Sequence, residues 1–111
     1  MSTMNELQNQ IGDWAEEKGW NEKERSFGEW IALMHSELSE ALEEDRNFKL
    51  PYYIENGKPE GQAIELADCV IRILHYFDFY KGELCLTLEE AIEIKMNYNK
   101  TREHRHGGKK L

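Results

Sequence analysis

The sequence predicts an all-α fold, a four-helix bundle. Three observations predict it. Apolar residues recur at spacings of three and four in four separate segments. No segment alternates apolar and polar residues over the length of a strand. Thr87 followed by Glu90 is the Thr-x-x-Glu pattern of a helix start. At 111 residues, 40% of them apolar, the chain fits one domain over 1–111 with a core small enough to be completed by another subunit.

The first helix is expected over about 4–18, with Leu7, Ile11, Trp14 and Ala15 on one stripe, and Gly19 interrupts it. The second begins at 24 or 27 and ends at Arg46, with Phe27, Ile31, Met34, Leu38, Ala41 and Leu42 as its apolar face. Residues 48–61 contain both prolines and two glycines, so they read as one long loop. The third helix is expected over 62–81, closed by Gly82. Its apolar residues Ile64, Ala67, Val70, Ile71, Leu74 and Phe77 fall on more than one side, as in a helix that is central or faces another subunit. The fourth starts after Thr87 and runs to about 102 with Leu88, Ala91, Ile92 and Met96 inward, followed by a basic tail at 103–111.

Composition excludes several functions. No apolar run approaches the 18 or so residues of a spanning helix, and the N-terminus lacks the basic start and apolar stretch of a signal peptide, so the cytoplasm is expected. Cys69 and Cys85 match no metal or redox spacing and are expected to be reduced, buried and inert. A net charge of -8 argues against a general nucleic-acid binder. That charge is divided: +5 from Lys95 to the end, and -13 over the first 94 residues. Such a division suits either a solvated tail or a site where acids and bases meet over an anion carried by divalent metal.

The acids that matter are Glu37 and Glu40 on the second helix and Glu65 and Asp68 on the third. Each pair is spaced i, i+3, which places both carboxylates on one helical face, and both pairs border an apolar stripe. Four acids turned to a helix–helix seam repel and pay desolvation unless something positive sits among them. Oxygen-only ligands suit Mg²⁺ or Mn²⁺ rather than zinc. Glu44, one turn beyond Glu40, is in reach of the same ion. The bland alternative is a wet acidic face, since 18 of the residues are Glu. On the fourth helix, Lys95, Asn99 and Arg102 fall at steps of four and three, one face offering an ammonium, an amide and a guanidinium to phosphate oxygens. Salt bridges along that helix are the alternative. Trp14, Trp20 and Trp30 are candidates for the wall of a base pocket, with a core role favoured for Trp14 and both roles open for Trp30. Tyr52 and Tyr53 either fold over a nucleotide or anchor their loop, and His35 and His75 flank the acidic motifs as packing residues.

Glu37-Leu-Ser-Glu40, 24 intervening residues, then Glu65-Leu-Ala-Asp68 resembles the ExxE…ExxD signature of the all-α nucleoside triphosphate pyrophosphohydrolases of the MazG type. The segment from Lys95 through Asn99, Arg102 and His106-Gly107 resembles that family's C-terminal pattern, so the likeness spans nearly the whole chain. The resemblance implies Glu37, Glu40, Glu65 and Asp68 as Mg²⁺ ligands and catalytic groups. One carboxylate is expected to act on the attacking water: Glu40 by its place between the metal pairs, with Glu37 the near-equal alternative. It implies Lys95, Asn99 and Arg102 as phosphate contacts, supplied in part by a neighbouring subunit of a homodimer or homotetramer. It implies hydrolysis of a nucleoside triphosphate to the monophosphate and pyrophosphate, usually of a non-standard or deoxyribonucleotide, in cleansing of the nucleotide pool. A fifth acid is often found near the first motif; Ser36 stands before Glu37 here, and only Glu44 serves that role. A carboxylate-bridged di-iron bundle needs two Glu-x-x-His motifs, and the chain has one, Glu103 to His106, in its tail. A non-enzymatic helical adaptor is the rival from another class, with an apolar groove and no dependence on divalent metal.

Overall fold

The computed structural model describes residues 2–47 and 50–102, and 70% of them are helical. The expected tail at 103–111, with His104 and His106, lies outside the described residues. Helix α1 (Met4–Glu17) starts at a reciprocal cap: the Thr3 hydroxyl accepts from Glu6 N at 3.1 Å, and Glu6 Oε1 accepts from Thr3 N at 3.0 Å. It ends where Gly19 turns to φ +76. Helix α2 (Phe27–Arg46) starts at Phe27 rather than at Glu24, because Ser26 and Glu29 form the same reciprocal cap.

The connection read as one loop contains a hairpin. Strands β1 (Tyr53–Glu55) and β2 (Lys58–Glu60) pair antiparallel, with Tyr53 opposite Glu60 and Glu55 opposite Lys58. Asn56 and Gly57 make the turn, both at positive φ (53° and 78°), which is the two-residue geometry that matches the twist of paired strands. Three-residue strands are too short to display alternation; the Asn-Gly pair was the local signal.

Helix α3 (Gln62–Phe79) stops two residues before the expected end. One further turn, α4 (Lys81–Leu84), follows it. Gly82 lies inside that turn, and Cys85 at φ 53 closes it. Cys85 is therefore exposed rather than buried, whereas Cys69 is buried as expected. Helix α5 (Leu88–Lys100) begins at the predicted Thr87–Glu90 box.

Helix α3 is the hub, touching α1, α2, α4, α5 and β2, and its packing against α2 is the most extensive. Among the described residues the buried apolar side chains are Ile11, Ala15, Trp30, Ala41, Cys69 and Leu74. Trp30 is the largest of them, 1% exposed, with the rings of His75, Tyr76, Phe79 and Tyr80 around it at 4.9–6.1 Å. Helix α5 is pinned to α1 by polar contacts: Leu88 N donates to the buried Gln8 Oε1 at 3.2 Å, and Asn5 Nδ2 to Glu89 Oε2 at 2.9 Å.

The expected apolar stripes are only half covered. Leu7 and Trp14 on α1, Phe27, Leu38 and Leu42 on α2, Val70 and Ile71 on α3 and Met96 on α5 are all exposed. Each outer helix meets α3 along one edge of its stripe, and the other edge is left open within a single chain. No described helix is long and apolar enough to cross a membrane.

Gly61 joins the hairpin to α3. Its φ is +115, and a Cβ there would overlap the carbonyl oxygen of Pro51, which itself accepts from Ala63 N at 3.0 Å. Both the torsion and the contact require glycine. Gly61→Ala is expected to cost about 3 kcal/mol, read as a lower urea midpoint with an unchanged slope.

Candidate functional site

The 3.6-residue period brings Glu37 to the α3-facing side of α2, and Glu65 and Asp68 to the α2-facing side of α3. One carboxylate oxygen from each of the three lies within 4.8 Å of the others. Glu37 is 7% exposed and Glu65 is 9% exposed, so these are not solvated acids. Arg72 Nε donates to Glu37 Oε1 at 2.9 Å and is the positive partner on that side. Glu65 Oε2 is buried with no hydrogen-bond partner. A buried carboxylate oxygen left unpaired costs free energy that a cation, a proton or a hydrogen-bond donor recovers.

Electrostatics agree with the geometry. Burial pushes Glu65 up to about 7, helped by its contact with Glu40 and by the charges of Glu40 and Asp68. Asp68 is also raised, first by burial and then by Glu37, against the opposing pull of Arg72. Glu40 is exposed and stands beside Glu65, outside the trio itself. With oxygen donors alone and one of them orphaned, the trio suits a hard divalent cation.

A second trio shares Glu65: Glu44 on α2 and Glu60 on β2 each place an oxygen within 4.8 Å of it. The Tyr53 hydroxyl donates to both Glu44 oxygens, at 3.0 and 3.1 Å. Tyr53 is pushed up to about 12, by burial first and by Glu44 second, so the phenol stays a donor. Its role is to anchor the hairpin to α2, while Tyr52 is exposed.

Beside the first trio opens a cleft of about 410 Å³, lined by Trp20, Arg25, Trp30, Glu37, Asp68, Ile71, Arg72 and His75. His75 is 7% exposed, and its Nε2 lies 2.7 Å from Asn21 Oδ1, whose amide nitrogen donates to Glu16 at 3.1 Å. Burial, then the charges of Arg25 and Arg72, lower its pKa and keep the ring neutral. The Arg25 guanidinium sits 5.2 Å over the Trp30 ring. The cleft thus offers aromatic walls, two guanidiniums and the edge of the carboxylate trio.

Of the expected site residues, the structure gathers Glu37, Glu65 and Asp68, with Glu40 beside them. Trp30 and Trp20 line the cleft. Trp14 is not part of it; it is 53% exposed on α1, neither core nor wall, because the stripe it belongs to meets α3 through Ile11 and Ala15 instead. Lys95 and Asn99 on α5 and Arg102 just past its end gather around Tyr98, with Lys95 Nζ 5.0 Å and Arg102 Cζ 5.8 Å from its ring and Arg102 Nη1 3.5 Å from Asn99 Oδ1. They line neither acid-bearing cleft. His35 is exposed.

Arg72 and Glu60 were not singled out from the sequence. Arg72 had a signal: it lies four residues after Asp68 and seven after Glu65, on the same helical face. Glu60 had none, since its position depends on the hairpin register. Set beside known proteins, the chain matches no family model, no curated protein and no solved structure.

The raised carboxylates fix a pH dependence. Glu65 holds its proton more tightly folded than unfolded, so its contribution favours folding at low pH and is lost as pH rises from about 4.5 to about 7. Asp68 acts in the same direction. His75, whose pKa is lowered, acts the other way, so the readout is a difference: in chelator, wild type should lose melting temperature relative to Glu65→Gln as pH rises from 5 to 8. An equally steep fall in the variant would remove Glu65 as its cause.

Proposed function

We propose that the chain is a divalent-metal-dependent nucleoside triphosphate pyrophosphohydrolase, releasing pyrophosphate and the monophosphate. The observation that supports this most is the carboxylate trio of Glu37, Glu65 and Asp68, with its orphaned Glu65 oxygen, opening onto a cleft walled by Trp20, Trp30 and His75. Glu37, Glu40, Glu65 and Asp68 would hold Mg²⁺ or Mn²⁺. Such an ion, when bound, supplies a more acidic water and neutralises charge on the phosphoryl oxygens.

The protein's own groups account for the rest. Trp20, exposed at the cleft, holds an aromatic base by face contact, while the buried Trp30 backs the cleft wall. Arg25 and Arg72 lie in the same cleft and meet phosphate charge, Arg72 while also orienting Glu37. Glu40, exposed at the edge of the trio, takes a proton from the attacking water. Lys95 and Asn99, exposed on α5, and the half-buried Arg102 just beyond it line neither of these clefts within one chain and reach the phosphates from a second copy.

Two further observations favour a bundle completed by that copy, as a homodimer or homotetramer. The radius of gyration is 16.6 Å, against about 13 Å for a compact chain of some 100 residues. Exposed apolar residues also line α2 and α3 together, at Phe27, Leu38, Leu42, Leu66 and Val70. The adaptor reading draws on the same apolar faces, but it gives no role to a buried, unpaired carboxylate.

The deciding experiment is pyrophosphate release over a panel of ribo- and deoxyribonucleoside triphosphates with Mg²⁺ and with Mn²⁺. Release is expected on at least one of them, with loss in chelator and a metal-dependent rise in melting temperature. No release on any triphosphate, and no thermal response to metal, would leave the adaptor.

A further inference from the structure

We propose that His75 reads the base of the substrate: held by Asn21 and Glu16 with its proton on Nε2, it offers the lone pair of Nδ1 to the cleft and accepts from an N–H on the edge of the base. This rests on the nucleotide reading of the cleft and goes beyond it by naming the residue that selects among bases and the group it selects for.

The tautomer is set from the outer end of a chain of three side chains. A carboxylate only accepts, so Glu16 Oε2 takes its hydrogen bond from the Asn21 amide nitrogen, at 3.1 Å. That leaves Asn21 Oδ1 for His75, whose Nε2 lies 2.7 Å away. An amide oxygen also only accepts, so Nε2 carries the proton and donates it. Burial, with the charges of Arg25 and Arg72, keeps the ring neutral, and the other nitrogen of a neutral imidazole is an acceptor. Among the described residues, the buried side-chain atoms without a partner are Asn5 Oδ1, Trp30 Nε1 and Glu65 Oε2. Nδ1 has no partner in the chain either, yet it is not one of these sealed atoms, and the His75 ring lines the cleft.

No other side chain lining the cleft can take this part. Arg25 and Arg72 only donate, and Glu37 and Asp68 belong to the carboxylate trio, so His75 is the neutral acceptor. Its ring stands 6.2 Å from that of Trp20 and is packed edge-on against Trp30 at 4.9 Å. A base resting on Trp20 therefore brings its edge to His75. The amino group of adenine or cytosine, or the ring N–H of uracil or hypoxanthine, donates to Nδ1. A base with neither group sets lone pair against lone pair, and a site built around a hydrogen bond rejects the analogue that lacks it.

The test is calorimetric binding of nucleoside monophosphates to the full chain, which needs no turnover. UMP, CMP, AMP and IMP are compared with the 5′-monophosphates of 2-pyrimidinone riboside and purine riboside, which lack the edge N–H and add no bulk. In wild type, the tightest-binding natural base should bind about tenfold more tightly than its donor-less counterpart. His75→Phe keeps a ring against Trp20 and Trp30 and should abolish that preference. Asn21→Leu releases the tautomer, so that Nδ1 can carry the proton, and should abolish or invert it. A merely structural role would weaken all the ligands together and leave the preference intact in both variants, which would overturn the assignment. Should one variant unfold by circular dichroism, the other carries the same test. Wild type that binds the donor-less bases as tightly as the natural ones, or that binds none of these nucleotides, would also overturn it. A tenfold preference without pyrophosphate release from any triphosphate would sink the hydrolase and leave this role standing; release without the preference would do the reverse.

Discussion

Asp68→Asn and Glu65→Gln should each lower pyrophosphate release by about a thousandfold or more, which is about 4 kcal/mol of transition-state stabilisation, while the helices remain formed. The two substitutions remove charge without removing volume, so packing along the α2–α3 seam is kept. They take from the Glu37–Glu65–Asp68 trio the negative charge that a divalent ion needs. The Glu65 variant should carry a second signature. In chelator at pH 8 it should melt higher than wild type, because the native carboxylate is buried among Glu40, Glu37 and Asp68 and has an unpaired oxygen. Added Mg²⁺ should then raise wild type and leave Glu65→Gln nearly unmoved. Loss of activity with gain of metal-free stability is the behaviour of a group held in place for chemistry. Loss of activity with loss of stability, and no response to metal in either protein, would instead make Glu65 a packing residue.

The helical part of this fold was legible because its signals are local. The box of Thr87 and Glu90 places the start of α5 correctly, and Gly19 ends α1 as expected. The facing of Glu37, Glu65 and Asp68 was legible for the same reason: an i, i+3 spacing on a helix fixes which face a side chain takes before any tertiary contact exists, while Glu40 stands exposed beside them. What was missed depends on contacts across the chain. Glu60 meets Glu65 only because β2 pairs in one register and Gly61 allows a close pass. Trp14 has the spacing of a core residue, yet α1 rolls so that Ile11 and Ala15 face α3 and Trp14 does not. Lys95, Asn99 and Arg102 do gather around Tyr98 at the end of α5, but the sequence says nothing of which neighbour that group meets. A stripe records that some surface will be covered, not whether this chain or another copy covers it. Among the described residues, that distinction separates the six buried apolar side chains from the exposed ones on α2 and α3.

Trp30→Ala should be the most destabilising single substitution in the core, costing about 3–5 kcal/mol out of a total that for small domains is about 5–15 kcal/mol. Trp30 is the largest fully buried side chain among the described residues and sits where the first turns of α2 meet the C-terminal half of α3. Its removal leaves His75, Tyr76, Phe79 and Tyr80 packed around a void, and takes away the ring beneath the Arg25 guanidinium. Trp30→Phe separates its structural part from its part in the site. The indole Nε1 is buried without a hydrogen-bond partner, so phenylalanine removes an unsatisfied donor while keeping an aromatic ring, and the cost should fall to about 1–2 kcal/mol. Because the buried Trp30 ring supports the Arg25 guanidinium and the His75 ring that line the cleft, Trp30→Phe should raise KM for the triphosphate severalfold while kcat changes little, since the reacting phosphoryl group lies with the carboxylates and not with the ring. A Trp30→Phe protein that folds, binds and turns over as wild type would place Trp30 in the core alone and leave Trp20 as the wall on which a base rests.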